Sequence, residues 1–414
     1  MSEENFFGLD LGEEMTQLSW YSPRHQAPES VSLSGKEQEF LFPTLLCYRA
    51  QAQEWLAGED ALRMAARGGE LVRGLLGKLR RKEPVLVGEQ SILPELLMER
   101  YLKSVLELLR LRCGAAKLTC MAVTAPGMDE ELRTTLLQIF LTLGIKEEQL
   151  IFLNRTECFM YYTIHTKPEL WTNDVALFDY DGEHFYYDRL SFARKRKPIA
   201  VTAEHMDFTG ELEQQRQHGS DEERRAYWFY EMAMKQFHKQ YITTVYVTGL
   251  GFEGGWAGDA LKKLCNGRRV FQGQNLYTKG ACYAARMIFL GLRKDYMFLF
   301  GDMITESIAL CVYKDTRNDY LELAKVGTPY QQVHTKIRVI LDATDELEFL
   351  VDDILKKESV HEVMILENLM QRENKTICLE LELTYVDRDT PVVRVRDIGF
   401  IEKQSTARIW EQIL

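Results

Sequence analysis

The chain has 414 residues, 46% of them hydrophobic and 27% charged, with a formal net charge of −11 at pH 7. That length exceeds one ordinary core and implies two or three domains. The acidic balance excludes nucleic acid as the main partner, because a phosphate backbone requires a basic face.

The opening "MSEENFF" is acidic rather than a hydrophobic leader, and no run approaches the roughly eighteen uninterrupted apolar residues of a membrane span. A cytoplasmic protein without a membrane partner is expected. The eight cysteines sit in apolar segments with no CxxC and no histidine at ligand spacing, which fits buried free thiols in a reducing compartment. The basic run "RKRK" (Arg194 to Lys197) precedes Pro198 between two strand-like runs and reads as a solvated turn.

In chain order, Phe6 to Gly12 alternates as a β-strand, and Thr16 to Tyr21 is its expected hairpin partner. "EFLFPTLLCYRA" is extended. Helical periodicity follows, interrupted at Gly68 and Gly69, and then a helix runs from Pro94 to Gly114. From Lys117 a strand, a helix capped by Asp129 and stopped by Gly144, and a second strand predict an α/β layer; "ECFMYYTI" continues as an apolar helix. "NDVALFDYDGEHFYYDRLSFA" restarts the pattern with a second strand, tight turn and strand that echo the first hairpin. Asp221 caps a helix whose predicted core stripe is Tyr227, Tyr230, Met234, Phe237 and Tyr241. "TTVYVTGLGFEGG" is a strand entering a glycine turn, and Tyr277 to Leu290 is a helix whose Gly280, Ala281 and Ala284 suit close packing. From Tyr296 onward only strands separated by charged turns are expected, so an all-β domain closes the chain.

Three glycine turns end strands: "DLGEEMTQ" (Asp10 to Gln17), "DYDGEHFY" (Asp179 to Tyr186) and "TGLGFEGG" (Thr248 to Gly255). Such turns let backbone N–H groups approach a phosphate, and a strand-end aspartate can hold the waters of Mg²⁺. In this order, and with the closing β domain, the chain resembles the actin, sugar-kinase and heat-shock-chaperone superfamily, in particular the seventy-kilodalton heat-shock chaperones. "FFGLDLGEE" is similar to their first phosphate loop, "VALFDYDGEHFYYDRL" to the second, and "VYVTGLGFEGGW" to the adenosine loop. "LVRGLLGKLRRKEPVLV" resembles the segment that carries their catalytic lysine, with Arg73 at the lysine position.

The resemblance implies two actin-like lobes of ribonuclease-H type, residues 1–170 and 171–292, the second with a reduced upper subdomain. It implies a C-terminal β-sandwich, 293–414, like a chaperone substrate domain without its lid. ATP or ADP with magnesium would be bound by Asp10, Gly12, Arg73, Asp179, Gly182, Gly249 and Gly251, with the metal at Asp10 and Asp179, and the β domain would contact a polypeptide partner.

The departures point away from hydrolysis. Glu13 and Glu14 replace phosphate-contacting threonines, and Asp181, Gly182, Glu183 and His184 replace the second loop's glycine triplet and threonine. Tyr186 replaces a later aspartate. A carboxylate about 4 Å from a phosphate oxygen is disfavoured by about 4 kcal/mol at an effective dielectric near 20. A divalent cation between them reverses that sign, but an arginine at position 73 does not reproduce a lysine's compact charge. Arg155, where the family has a glutamate, is open to pairing with Glu157 or Glu13, replacing a lost metal by an ion pair. His184 reads as a packed or solvated hairpin residue rather than a general base, and Trp256 as a packing anchor more than a base-stacking ring. The expectation is a noncatalytic chaperone-like or scaffold protein, a pseudo-ATPase. The alternatives are a slow Mg²⁺-dependent ATPase chaperone with an altered phosphate and metal site and, third, a filament-forming relative.

Overall fold

The computed structural model describes residues 4–32, 39–113, 117–195, 197–217, 221–314, 317–355, 358–370, 372–399 and 408–414. Packing divides the chain into two compact units, Met1–Ser191 with His205–Lys294, and Phe192–Glu204 with Asp295–Leu414. The first is mixed α/β and the second is built of β-sheet.

The first unit contains two sheets of matching design. Strands β1 (Phe6–Leu11) and β2 (Met15–Ser22) form an antiparallel hairpin, extended by β3 (Ala27–Ser30). Helix α1 (Pro94–Cys113) follows, and strand β4 (Cys120–Thr124) then pairs parallel with the other side of β1. Helix α2 (Glu130–Thr142) leads to β5 (Leu150–Leu153), parallel to β4, and the chain enters helix α3 (Arg155–Ile164). Asp129 caps α2 by accepting from the Leu132 N–H at 2.8 Å, and Gly144 adopts a left-handed φ of +82° just past its end, the punctuation expected of those residues.

The design then repeats. Strands β6 (Asp174–Tyr180) and β7 (Phe185–Ala193) form the second hairpin. After β8 (Ile199–Asp207) and helix α4 (Glu222–Phe237), strand β9 (Ile242–Thr248) pairs parallel with β6, and β10 (Arg269–Gln272) parallel with β9. Helix α5 (Leu276–Phe289) completes the unit. The order β5-β4-β1-β2 is thus matched by β10-β9-β6-β7. Each hairpin is opened on one side by two parallel strands, which require crossover connections and bring strand ends together.

Helix α4 corrects one expectation. Tyr227, Met234 and Tyr241 are exposed, and the buried stripe is Phe229, Met232, Ala233 and Phe237. Both sets have helical spacing, so periodicity could not choose between them. The partner chose: Phe229 meets Phe178 edge-on at 5.2 Å, and Phe252 with Trp256 closes the same cluster. Trp256 is a packing anchor, stacked on Phe252 and donating its indole N–H to the Gly251 carbonyl at 2.8 Å.

In the second unit, β8 pairs parallel with β11 (Tyr296–Leu299) beside a small core of Ala193, Ala200, Leu299 and Ile354. Arg194 and Lys195 lie in the turn ahead of β8; Arg196, within the same basic run, falls outside the described residues. Two antiparallel sheets follow. One has the order β13-β12-β15-β16, from β12 (Glu306–Lys314), β13 (Arg317–Ala324), β15 (Glu346–Asp353) and β16 (Glu358–Ile365). The other runs β14-β17-β18-β19, from β14 (Thr335–Ile340), β17 (Cys378–Asp387), β18 (Thr390–Asp397) and β19 (Ile409–Ile413). Alternate residues, among them Leu310, Phe349, Leu381 and Val395, share one core between the sheets, as a sandwich of half-buried strands demands. The eight cysteines are free thiols; Cys265 is exposed rather than buried, and Cys113, Cys311 and Cys378 are partly so. Among the described residues no helix is long and apolar enough to cross a membrane.

Candidate functional site

The ends of β1 and β6 meet at a cavity of about 360 Å³ in the first unit. Asp10 lies one residue before the end of β1, opposite Thr124 on the parallel side and Gln17 on the hairpin side. Asp179 occupies the equivalent place on β6, opposite Thr248 and Tyr186. Both residues are buried, with Asp10 5% and Asp179 3% exposed.

Arg155 lies between them. It is the first residue of α3, whose start is fixed by a capping box: Asn154 accepts from the Glu157 N–H at 2.8 Å, and Glu157 accepts from the Asn154 N–H at 3.0 Å. The helix thereby aims the guanidinium at both aspartates, donating to Asp10 Oδ1 at 3.2 Å and to Asp179 Oδ2 at 3.1 Å. The Tyr277 ring, from α5, lies 4.6 Å from the guanidinium, and its hydroxyl donates to Asp179 Oδ2 at 2.9 Å. Arg155 therefore pairs with neither Glu157, which is spent in the capping box, nor Glu13. Its actual partners are Asp10 and Asp179, the two aspartates that would hold a metal if the resemblance extended to one.

Burial raises the pKa of Asp10, and Arg155 only partly opposes it. Burial raises Asp179 to about 6 despite Arg155 and the Tyr277 hydroxyl. Burial also works against the Arg155 charge, but two facing carboxylates outweigh it and hold its pKa above the ordinary value. Two carboxylates share one buried cation, so the set retains an uncompensated charge that favours a proton.

The raised pKa has a definite sign. Folded Asp179 binds its proton more tightly than the unfolded chain does, so its ionisation costs stability; the cost is absent below about pH 4 and complete above about pH 6. Asp179→Asn removes that titration. Its stability relative to the parent is expected to rise by about 3 kcal/mol between pH 4 and pH 7, measured by urea unfolding at each pH. A difference that stays flat over that range would contradict this account of the buried triad.

The glycine turns hold other surprises. Gly12, Gly182 and Gly249 line the cavity, but Gly251 does not. A Cβ at Gly251 would lie 2.4 Å from the Tyr180 ring and 2.6 Å from the Gly182 nitrogen, so this glycine serves close packing of two turns. Arg73 is exposed and also lies outside the lining. The basic residue that approaches Glu13 is Arg80, with Nη1 3.6 Å from Glu13 Oε1, and Glu13 Oε2 accepts the Gly77 N–H at 3.0 Å. Asp181 closes its own turn, accepting from the Glu183 and His184 N–H groups at 2.8 and 2.7 Å, with His184 Nδ1 3.1 Å away. His184 remains exposed, as expected of a hairpin residue.

Tyr277, Gln17 and Gln274 were not legible as site residues. Gln274 exchanges hydrogen bonds with the Gly249 backbone, each 3.1 Å, and accepts at its carbonyl from Gln17 Nε2 at 2.6 Å. These contacts join residues far apart in the chain, so no local spacing announces them. Asp188 had one usable signal, a charge among alternating aromatics on β7; it is buried, accepting from Thr156 of α3 at 2.8 Å and lying 2.9 Å from His205 Nδ1.

Six carboxylates therefore line or close the cavity: Asp10, Glu13, Glu14, Asp179, Asp181 and Glu183. Among the described lining residues Arg155 is the one guanidinium, and it is committed to two of these carboxylates.

The description "Family of unknown function (DUF5716) C-terminal" matches residues 27–301, about two thirds of the chain. The chain belongs to that family. The DUF5716 match includes Arg155, Asp179, Gln274 and Tyr277 and begins beyond Asp10 and Gln17. A "Domain of unknown function (DUF8552)" matches residues 303–414, the segment that contains both sandwich sheets. No curated protein matches the chain.

Proposed function

We propose that the protein is a noncatalytic, chaperone-like or scaffold member of the actin, sugar-kinase and heat-shock superfamily, acting in the cytoplasm through a C-terminal β domain that contacts a polypeptide. One observation carries the loss of catalysis: the Arg155 guanidinium joins Asp10 and Asp179, the positions at which the resemblance implies a hydrated Mg²⁺. A fixed internal cation pairs with both strand-end carboxylates and offsets one of their two charges, without supplying a Lewis acid or a metal-bound water. The matching strand orders of the two sheets support the superfamily reading, since the resemblance implies two related lobes. The alternative, a slow Mg²⁺-dependent ATPase, draws on the roughly 360 Å³ cavity that Gly12, Gly182 and Gly249 still line.

Phosphate release from ATP, with and without Mg²⁺, separates the two. Turnover is expected to be indistinguishable from the protein-free control in both conditions. Mg²⁺-dependent turnover lost in Asp10→Asn or Asp179→Asn would reject the noncatalytic reading in favour of the slow ATPase.

A further inference from the structure

The outer face of the sheet β13-β12-β15-β16 brings together three side chains of different chemistry. Inward-facing Leu310, Phe349 and Met364 belong to the core, so the alternate residues Cys311, Glu348 and His361 belong to the opposite face. The register Leu310↔Phe349 sets Cys311 beside Glu348, and Glu348↔Val363 places His361 on the diagonal. One ligand atom from each lies within 4.8 Å of those of the other two, and His361 Nδ1 is 2.5 Å from Glu348 Oε1. Among the described residues this is the one Cys, His and carboxylate grouping that meets that spacing.

We propose that Cys311, Glu348 and His361 form a Zn²⁺ site, with water at the fourth position. The donors are a thiolate, an imidazole and a carboxylate oxygen, the set that a borderline tetrahedral cation prefers over hard ions such as Mg²⁺ or Ca²⁺. Insertion of the ion requires the His361–Glu348 contact to open to about 3.3 Å, the ligand separation of a tetrahedral zinc centre. Both side chains are about half exposed, at 48% and 50%, so rotation about their own bonds suffices. Binding forms the Zn–S bond, and the thiol proton leaves to solvent, one per ion. The ion ties together three adjacent strands, including β16, which has no neighbour on its far side among the described residues. A clip of this kind holds an otherwise one-sided edge strand in register.

The test uses the full chain, reduced, with Zn²⁺ in calorimetry and Co²⁺ as a spectroscopic substitute. The expected result is one equivalent of each metal and a thiolate-to-cobalt absorption band. Cys311→Ser should abolish the band, His361→Ala should weaken Zn²⁺ binding at least tenfold, and Cys265→Ser, altering the exposed thiol of the other unit, should change neither. Cys311 and His361 lie on the outer face, and thermal unfolding verifies that each variant folds. Absence of the band in the parent, its survival in Cys311→Ser, its loss in Cys265→Ser, or unaltered Zn²⁺ affinity in His361→Ala would each overturn the assignment.

Discussion

Arg155→Met is expected to cost about 3–5 kcal/mol of stability at pH 7, the penalty for leaving buried charge without its partner. Asp10 and Asp179 are almost completely buried and would then face one another with no cation between them. The Tyr277 hydroxyl still donates to Asp179, but one neutral donor does not offset two carboxylates. Because burial already raises both acids, protonation offers relief, and the cost should shrink at pH 5. Adding Asp10→Asn to Arg155→Met should restore most of the loss. Urea unfolding at the two pH values measures all three chains, and a single variant within about 0.5 kcal/mol of the parent, the range of an ordinary surface change, would refute the bridging role. The same variant connects stability to function. With the guanidinium gone, Mg²⁺ or Mn²⁺ should raise the melting temperature of Arg155→Met and leave the parent unchanged.

Gly280→Ala is expected to destabilise by about 3 kcal/mol, at the upper end of ordinary overpacking. A Cβ there would lie 2.0 Å from the Cys158 carbonyl oxygen and 2.7 Å from its carbon. The obstacle is backbone of α3, so no side-chain rotation relieves it. Gly8 shows the same constraint on the other side of α5, where a Cβ would lie 2.0 Å from the Thr278 carbonyl oxygen. Helix α5 is thus clamped between β1 and α3, and it carries Tyr277 into the aspartate pair. Displacing α5 should therefore also loosen the Arg155 site. Gly210→Ala is the control: this glycine is helical, and a Cβ there meets nothing within 4 Å, so the change should be neutral or slightly stabilising. Thermal unfolding of the two variants distinguishes contact from propensity, and equal effects would remove the steric argument.

The sequence by itself determined the local pieces of this protein. Asp129, Gly144 and the apolar run from Glu157 set helices because caps, left-handed glycines and periodicity act within a few residues. Alternation in "TICLELELTYV" and its neighbours determined an all-β C-terminal domain, since a two-residue period leaves no other regular structure that buries one face. The two hairpins were legible as an echo, and Asp10 and Asp179 as strand-end carboxylates. Only the tertiary structure decided what those carboxylates meet. Arg155 is 145 positions from Asp10 and 24 from Asp179, and its partners follow from strand order and the entry angle of α3 rather than from spacing along the chain. The same holds for α4, where Phe237 is buried as expected but the cluster around Phe178 takes up Phe229, Met232 and Ala233 and leaves Tyr227 and Met234 exposed. It holds again for Cys311 and His361, fifty residues apart and invisible as a pair until β-sheet register set them on one face. Local signals fix which elements form because their energetics are short-ranged; contacts between distant elements depend on how those elements pack, and that information is shared across the whole chain.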